Sequence, residues 1–179
     1  MKETLSDQTF KLMHHIMRIM EWVHPNAEKR VKTFGIREGM TVVDYGCGPG
    51  RYTIPMAQIV GEQGRIIAVD LVKIAGEEIQ RKAQKYGLCN IQFILAQGYD
   101  SKVDLGVADM VVALDMFFMV ESPTEFLREL SRVSKKDGIL VIDDGHQSRA
   151  KTKKKLAESG IWAIFEESKD HLKCKKVDP

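Results

Sequence analysis

From residue 40 onward, short apolar runs alternate with longer segments of helical periodicity. Residues 40–45 read as a buried strand and 51–60 as a helix. A strand at 65–70 leads into a helix at 73–86, which Gly87 stops with a left-handed cap. Strands at 91–96, 109–114 and 139–143 follow. A helix at 124–134 joins the last two, and another at 148–158 is closed by Gly160. The end of the chain differs. Strands at 161–166 and 171–177 have only Glu167-Ser168-Lys169-Asp170 between them. A link that short makes an antiparallel hairpin, because a parallel crossover needs a dozen or more residues. Repeated strand–helix alternation with apolar strands predicts an α/β fold with a parallel sheet covered on both faces.

The N-terminal stretch has its own pattern. Ser6 reads as an N-cap for a helix over 7–23, whose Leu12, Ile16, Ile19 and Val23 share one face. Met13, Met17 and Met20 widen that face. His24-Pro25 breaks the helix, and Pro25 suits the first turn of a second short helix ended by Gly35. The expectation is one domain over 1–179, with 1–35 as a helical cap region.

Composition narrows the classes. The 179 residues carry 27 basic and 25 acidic side chains, a net charge of +2, which argues against a nucleic-acid-coating protein. Cys47, Cys89 and Cys174 are odd in number, far apart and form no CxxC pair. That argues against a disulfide framework or a structural zinc site, and for a reducing cytoplasm. The longest apolar stretch, 110–120, is interrupted by Asp115 and too short to span a bilayer. A soluble, cytoplasmic protein is expected.

The most informative segment is Asp44-Tyr45-Gly46-Cys47-Gly48-Pro49-Gly50, placed after a strand and before a helix. Glycines there allow a tight turn and close approach of backbone to a ligand. The spacing is not the G-x-G-x-x-G of a dinucleotide site. A carboxylate two residues ahead of the first glycine opposes a phosphate and favours a cationic ammonium, so a nicotinamide oxidoreductase is disfavoured.

Together with Val42-Val43 before it, this segment resembles the first motif of the class I S-adenosylmethionine-dependent methyltransferases. Ile67-Ala68-Val69-Asp70 is similar to the second-strand motif that ends in an acid, and Tyr86 to Ile91 to the lead into strand three. Residues 126–143 resemble the helix and fifth strand after the acceptor loop. The closest flavour is the small-molecule methyltransferases of the ubiquinone-biosynthesis type. The resemblance implies a Rossmann-like, seven-stranded sheet of order 3-2-1-4-5-7-6, with strand seven antiparallel, which the terminal hairpin supports. It implies S-adenosylmethionine as cofactor, S-adenosylhomocysteine as product and methyl transfer as the activity. Asp44, Gly46, Gly48 and Gly50 would cradle the amino-acid end, Asp70 the ribose hydroxyls, and Leu71 would pack on the adenine. Gln97 stands where the family commonly has an aspartate, and its carbonyl can still accept from the adenine amine. Asp115 matches the position between cofactor and acceptor.

Methyl transfer from a sulfonium needs no metal, and none is expected. A base is needed only if the acceptor arrives protonated. Asp115, Asp144 and His146 are the candidates, with Phe117 and Phe118 as possible pocket walls. The N-terminal helix is expected to lie over the carboxyl edge of strands four and five as a lid, its methionines helping to form an apolar acceptor pocket. Arg149, Lys151, Lys153, Lys154 and Lys155 read as a solvated helix face. A small-molecule acceptor is expected and nucleic acid is not. The acceptor's identity and the oligomeric state stay open, and the rival class is a non-catalytic cofactor-binding regulatory or scaffold protein.

Overall fold

Strand β1 (Thr41–Tyr45) shows how this fold is built. Its successive side chains alternate across the sheet, so Val42 enters one core layer and Val43 the other. A computed structural model describes residues 27–177. The expected helix over 7–23, with its methionine face and its role as a lid, lies outside the described residues.

The described chain opens with α1 (Ala27–Val31), inside the span expected for the second short helix, and turns at Gly35 with φ 88°. After β1 come α2 (Thr53–Val60), β2 (Arg65–Asp70), α3 (Lys73–Tyr86) and β3 (Ile91–Leu95). Then follow β4 (Ala108–Ala113), a 3-10 turn at Phe117–Met119, α4 (Pro123–Val133) and β5 (Ser134–Ile142). The chain ends in α5 (Arg149–Ser159), β6 (Trp162–Glu167) and β7 (Leu172–Lys176).

All seven strands join one sheet in the order β3-β2-β1-β4-β5-β7-β6. Neighbours from β3 to β5 are parallel, and β7 runs antiparallel to both β5 and β6. The expected order and hairpin are therefore both present. One face packs α1, Phe34 and α2 against Val42, Ile66, Met110 and Val112. The other packs Phe126, Leu127 and Leu130 of α4 and Leu156 of α5 against Val43, Val69 and Val111.

The fifth strand starts earlier than expected. Ser134 already pairs with Ala108, and the register then shifts before Met110 meets Ile139. Lys135, Lys136 and Asp137 in that stretch are exposed, so no apolar pattern marks it. The helix stops are as expected. Gly87 and Gly160 both adopt left-handed caps at φ 64°, and the Ser148 side chain accepts from the Lys151 N–H to start α5. Lys155 departs from a solvated face: its Nζ donates to the Phe117 carbonyl at 2.9 Å and sits 4.8 Å from the Phe117 ring. Among the described residues no helix is long and apolar enough to cross a membrane.

Candidate functional site

The glycine loop leaves β1 and folds back onto β2. The Gly46 and Cys47 N–H groups both donate to the Val69 carbonyl, at 2.8 and 3.1 Å. Gly46, Gly48 and Gly50 have φ of 77°, 50° and 83°, a region that side-chain-bearing residues rarely adopt. Space forbids side chains too. A Cβ on Gly50 would lie 2.8 Å from Ile79 Cγ1, and one on Gly46 would lie 3.0 Å from Met116 Cγ. The loop is thus a close-packed backbone ribbon running into α2.

Two carboxylates hold this ribbon. Asp70, at the end of β2, accepts from the Gly48 N–H at 2.8 Å through one oxygen and from the Val72 N–H at 3.1 Å through the other. Burial pushes its pKa up, and these backbone donors oppose the shift. Asp44 is 3% exposed and accepts from the Thr53 hydroxyl at 2.5 Å. Its carboxylate ties the end of β1 to the first residue of α2. Burial pushes this carboxyl up to about 7, against the Thr53 bond. Leu71 is half exposed, an apolar surface directly after Asp70. Gln97 is exposed just after β3, and its backbone exchanges two hydrogen bonds with Asp100 at 3.0 and 3.1 Å. The residues expected at the cofactor therefore gather at the carboxyl ends of β1, β2 and β3, where open parallel sheets bind ligands.

Asp115 follows β4 and has φ 57°, a conformation Asp tolerates better than most side chains. Its N–H donates to Asp143 at 2.9 Å, which anchors the turn. Its carboxylate accepts from the Tyr52 hydroxyl at 3.0 Å and from Arg51 at 3.2 Å. Arg30 of α1 completes the group. It donates to the Tyr52 oxygen at 2.7 Å, to Asp143 at 2.7 Å and to the Asp170 carbonyl at 2.5 Å. Asp143 is nearly buried; desolvation raises its pKa while the Arg30 hydrogen bond pulls it down. The guanidiniums of Arg30 and Arg51 each lie over the Tyr52 ring, at 5.5 and 5.0 Å from its centroid.

The other two expected catalytic residues sit differently. Asp144 pairs with Arg149 at 2.7 Å, and Arg149 also reaches Glu167 and the carbonyls of Ser168 and Lys169. Asp144 is thus part of a brace joining β5, α5 and the β6–β7 turn. His146 is exposed, its ring edge-on to Phe118 with centroids 4.9 Å apart. A cleft of about 750 Å³ opens beside Asp115, lined also by Lys29, Arg30, Asp143, Asp144, Lys169 and Asp170. His146 is not among its lining residues. Phe117 is fully buried in the core and Phe118 does not line the cleft. The described lining is charged and polar, and the expected methionine wall belongs to the residues not described. No group of three or more His, Cys, Asp or Glu could hold a metal among the described residues.

Three members of this arrangement, Arg30, Arg51 and Tyr52, were not among the residues expected from sequence. Arg51 and Tyr52 stand directly after Gly50, and that adjacency could have marked them. Arg30 is 85 residues from Asp115, and only the fold brings them together.

A family profile described as a methyltransferase domain matches residues 36–175. The chain belongs to that family. A SAM-dependent methyltransferase from Aquifex aeolicus superposes with a TM-score of 0.75 at 26% identity, covering 88% of this chain and 95% of that one. A protein from Methanococcus maripaludis gives a TM-score of 0.76 at 22% identity over 100% and 98% of the two chains, which speaks for the fold. Human arsenite methyltransferase is 29% identical over 150 residues, 75% of this chain. The match spans only 40% of that enzyme's length.

Proposed function

We propose that this protein transfers a methyl group from S-adenosylmethionine to a small, polar acceptor, and that it works in the cytoplasm. One observation carries the reading: Asp115 belongs both to the rim of the glycine loop, through Arg51 and Tyr52, and to the charged cleft beyond β4 and β5. The residues present fit the cofactor. The glycine ribbon offers backbone and no side-chain bulk, Asp70 offers a carboxylate at the ribose position, and half-exposed Leu71 offers an apolar face. Asp44, Gly46, Gly48 and Gly50 would cradle the amino-acid end. Gln97 would meet the adenine edge.

When bound, the cofactor supplies an electrophilic methyl group on a cationic sulfur. The protein's own residues then orient the acceptor. Asp115, fixed through its N–H to Asp143, would face the acceptor's attacking atom, so positioning supplies much of the rate. Asp144 would hold the cleft wall through Arg149. His146 is exposed outside the cleft lining and is the weaker candidate for a base. Free Cys47, Cys89 and Cys174 support a reducing compartment.

The arsenite methyltransferases do not lend their substrate to this chain. Soft, thiophilic centres are held by clustered thiolates. Here Cys47 is buried at the glycine loop, Cys174 is buried within β7, and Cys89 is exposed ahead of β3, at the sheet edge away from the loop. Calorimetry with S-adenosylhomocysteine and with NAD tests the cofactor reading. Binding of the former alone is expected, and binding of NAD alone would reject it.

A further inference from the structure

Given the methyltransferase reading above, on which this rests, we infer that binding of the cofactor's amino-acid end converts Asp44 from a neutral acid to a carboxylate, so that a proton leaves the protein as the cofactor enters. The site would then be under proton-linked control. The reason is a pair of shielded acids at the glycine loop, neither of which has a cation for a partner.

Asp44 is 3% exposed and lies one residue before the end of β1, and Asp70 ends the neighbouring strand β2. Asp44 feels the Asp70 charge, and among the described residues no lysine or arginine acts on either carboxylate. The cations that reach the loop are engaged elsewhere. Arg51 turns to Asp115 at 3.2 Å, and Lys82 of α3 donates to the Pro49 carbonyl at 2.8 Å. The loop itself contributes Cys47, whose thiol is kept neutral because burial, and then both carboxylates, push its pKa up. From α2 comes the Thr53 hydroxyl, and from α3 the apolar Ile79, packed with Cys47 and Ala68.

Two acids so placed do not ionise equally. Asp70 accepts from the Gly48 and Val72 N–H groups, fixed dipoles that favour its charged form. Asp44 has the Thr53 hydroxyl, which can accept as well as donate and so serves a neutral carboxyl too. Burial, with the Asp70 charge added, outweighs the Thr53 bond and pushes Asp44 up to about 7. The ammonium of an amino-acid end supplies the missing cation. With it in place the Asp44 O–H bond breaks, the proton passes to solvent, and the carboxylate stays paired with the ammonium. A neutral acid and a cation thus become an ion pair and one free proton, and charge is conserved. A ligand that lowers the pKa of a group binds more tightly as pH rises through the unliganded value.

The test is calorimetry on the full chain with S-adenosylhomocysteine at two pH values. Each is run in two buffers of different ionisation enthalpy, which counts the protons released. Methylthioadenosine is the second ligand, because it keeps adenine, ribose and thioether but has no ammonium. S-adenosylhomocysteine should bind about eightfold tighter at about pH 7.5 than at about pH 6, releasing about 0.2 and about 0.9 proton respectively. Methylthioadenosine should release none and bind equally at both. Asp44→Asn should abolish the release and cut the pH effect on S-adenosylhomocysteine binding to less than about twofold. Binding of S-adenosylhomocysteine to the parent without proton release at the lower pH would overturn the inference. So would an equal release with methylthioadenosine, or a release that survives in Asp44→Asn. If that variant folds poorly, the parent's proton count and the contrast between the two ligands still decide. Failure of S-adenosylhomocysteine to bind at either pH would strike the methyltransferase reading, and this inference with it.

Discussion

Replacing Arg30 with Leu should destabilise the protein by an amount that depends on pH. Arg30 is 16% exposed in its side chain and Asp143 4%, so the pair is largely shielded from water. Removing one partner of a buried ion pair typically costs about 3–5 kcal/mol, because the remaining charge is left uncompensated. Asp143 keeps two backbone donors, the Asp115 N–H at 2.9 Å and the Gly145 N–H at 3.2 Å, which soften the loss. The lower end, about 3 kcal/mol at pH 7.5, is therefore expected. For a chain of this size that is roughly 6–12 °C in Tm. The pH dependence follows from linkage. The folded Asp143 carboxyl already lies above its ordinary 3.8, and losing Arg30 raises it further. Its contribution is present in full below the unfolded value and is lost as pH rises through the folded one. The variant's deficit should then be about 1 kcal/mol smaller at pH 5 than at pH 7.5. Urea unfolding of parent and variant at both pH values measures this. Adding Asp143→Asn should recover part of the loss at pH 7.5. A deficit below about 1 kcal/mol at pH 7.5, or one that does not shrink at pH 5, would refute the buried-pair argument.

Asp44 predicts a second pH effect. Its folded carboxyl is pushed up to about 7 from 3.8, so its contribution to stability fades as pH rises through 7, and Asp44→Asn should flatten that part of the unfolding curve. Asp70→Asn should weaken S-adenosylhomocysteine binding by at least tenfold, since charge-assisted hydrogen bonds are worth about 1.5–3 kcal/mol each. Because Asp70 also holds the Gly48 N–H, amide exchange in the glycine loop should quicken in that variant without ligand. Protection equal to the parent's would show that Asp70 does not hold the loop. Gly50→Ala should cost about 1–3 kcal/mol in unfolding free energy and abolish detectable cofactor binding, since its φ is 83° and Ile79 lies 2.8 Å from the new Cβ. A fully stable, binding-competent alanine variant would overturn the packing argument.

Local chemistry made much of this protein legible in its sequence. Strands β1, β2 and β4 are nearly continuous apolar runs because both their faces are buried, and Gly87 and Gly160 end helices because only glycine enters the left-handed region freely. The tight glycine loop after β1 and the direction of β7 were legible for the same reason: each depends on residues adjacent in the chain. The start of β5 was hidden because Lys135, Lys136 and Asp137 are polar and exposed, and a register shift between β4 and β5 leaves no periodic mark. The charged cleft beside Asp115 was decided only by tertiary structure. Asp144, a candidate base from sequence, is braced by Arg149, and Asp143, beside it in sequence, is clamped by Arg30 from 113 residues away. Charge pairing depends on distance in space, and with a separation of that length no sequence pattern encodes which carboxylate is neutralised and which is left for a ligand.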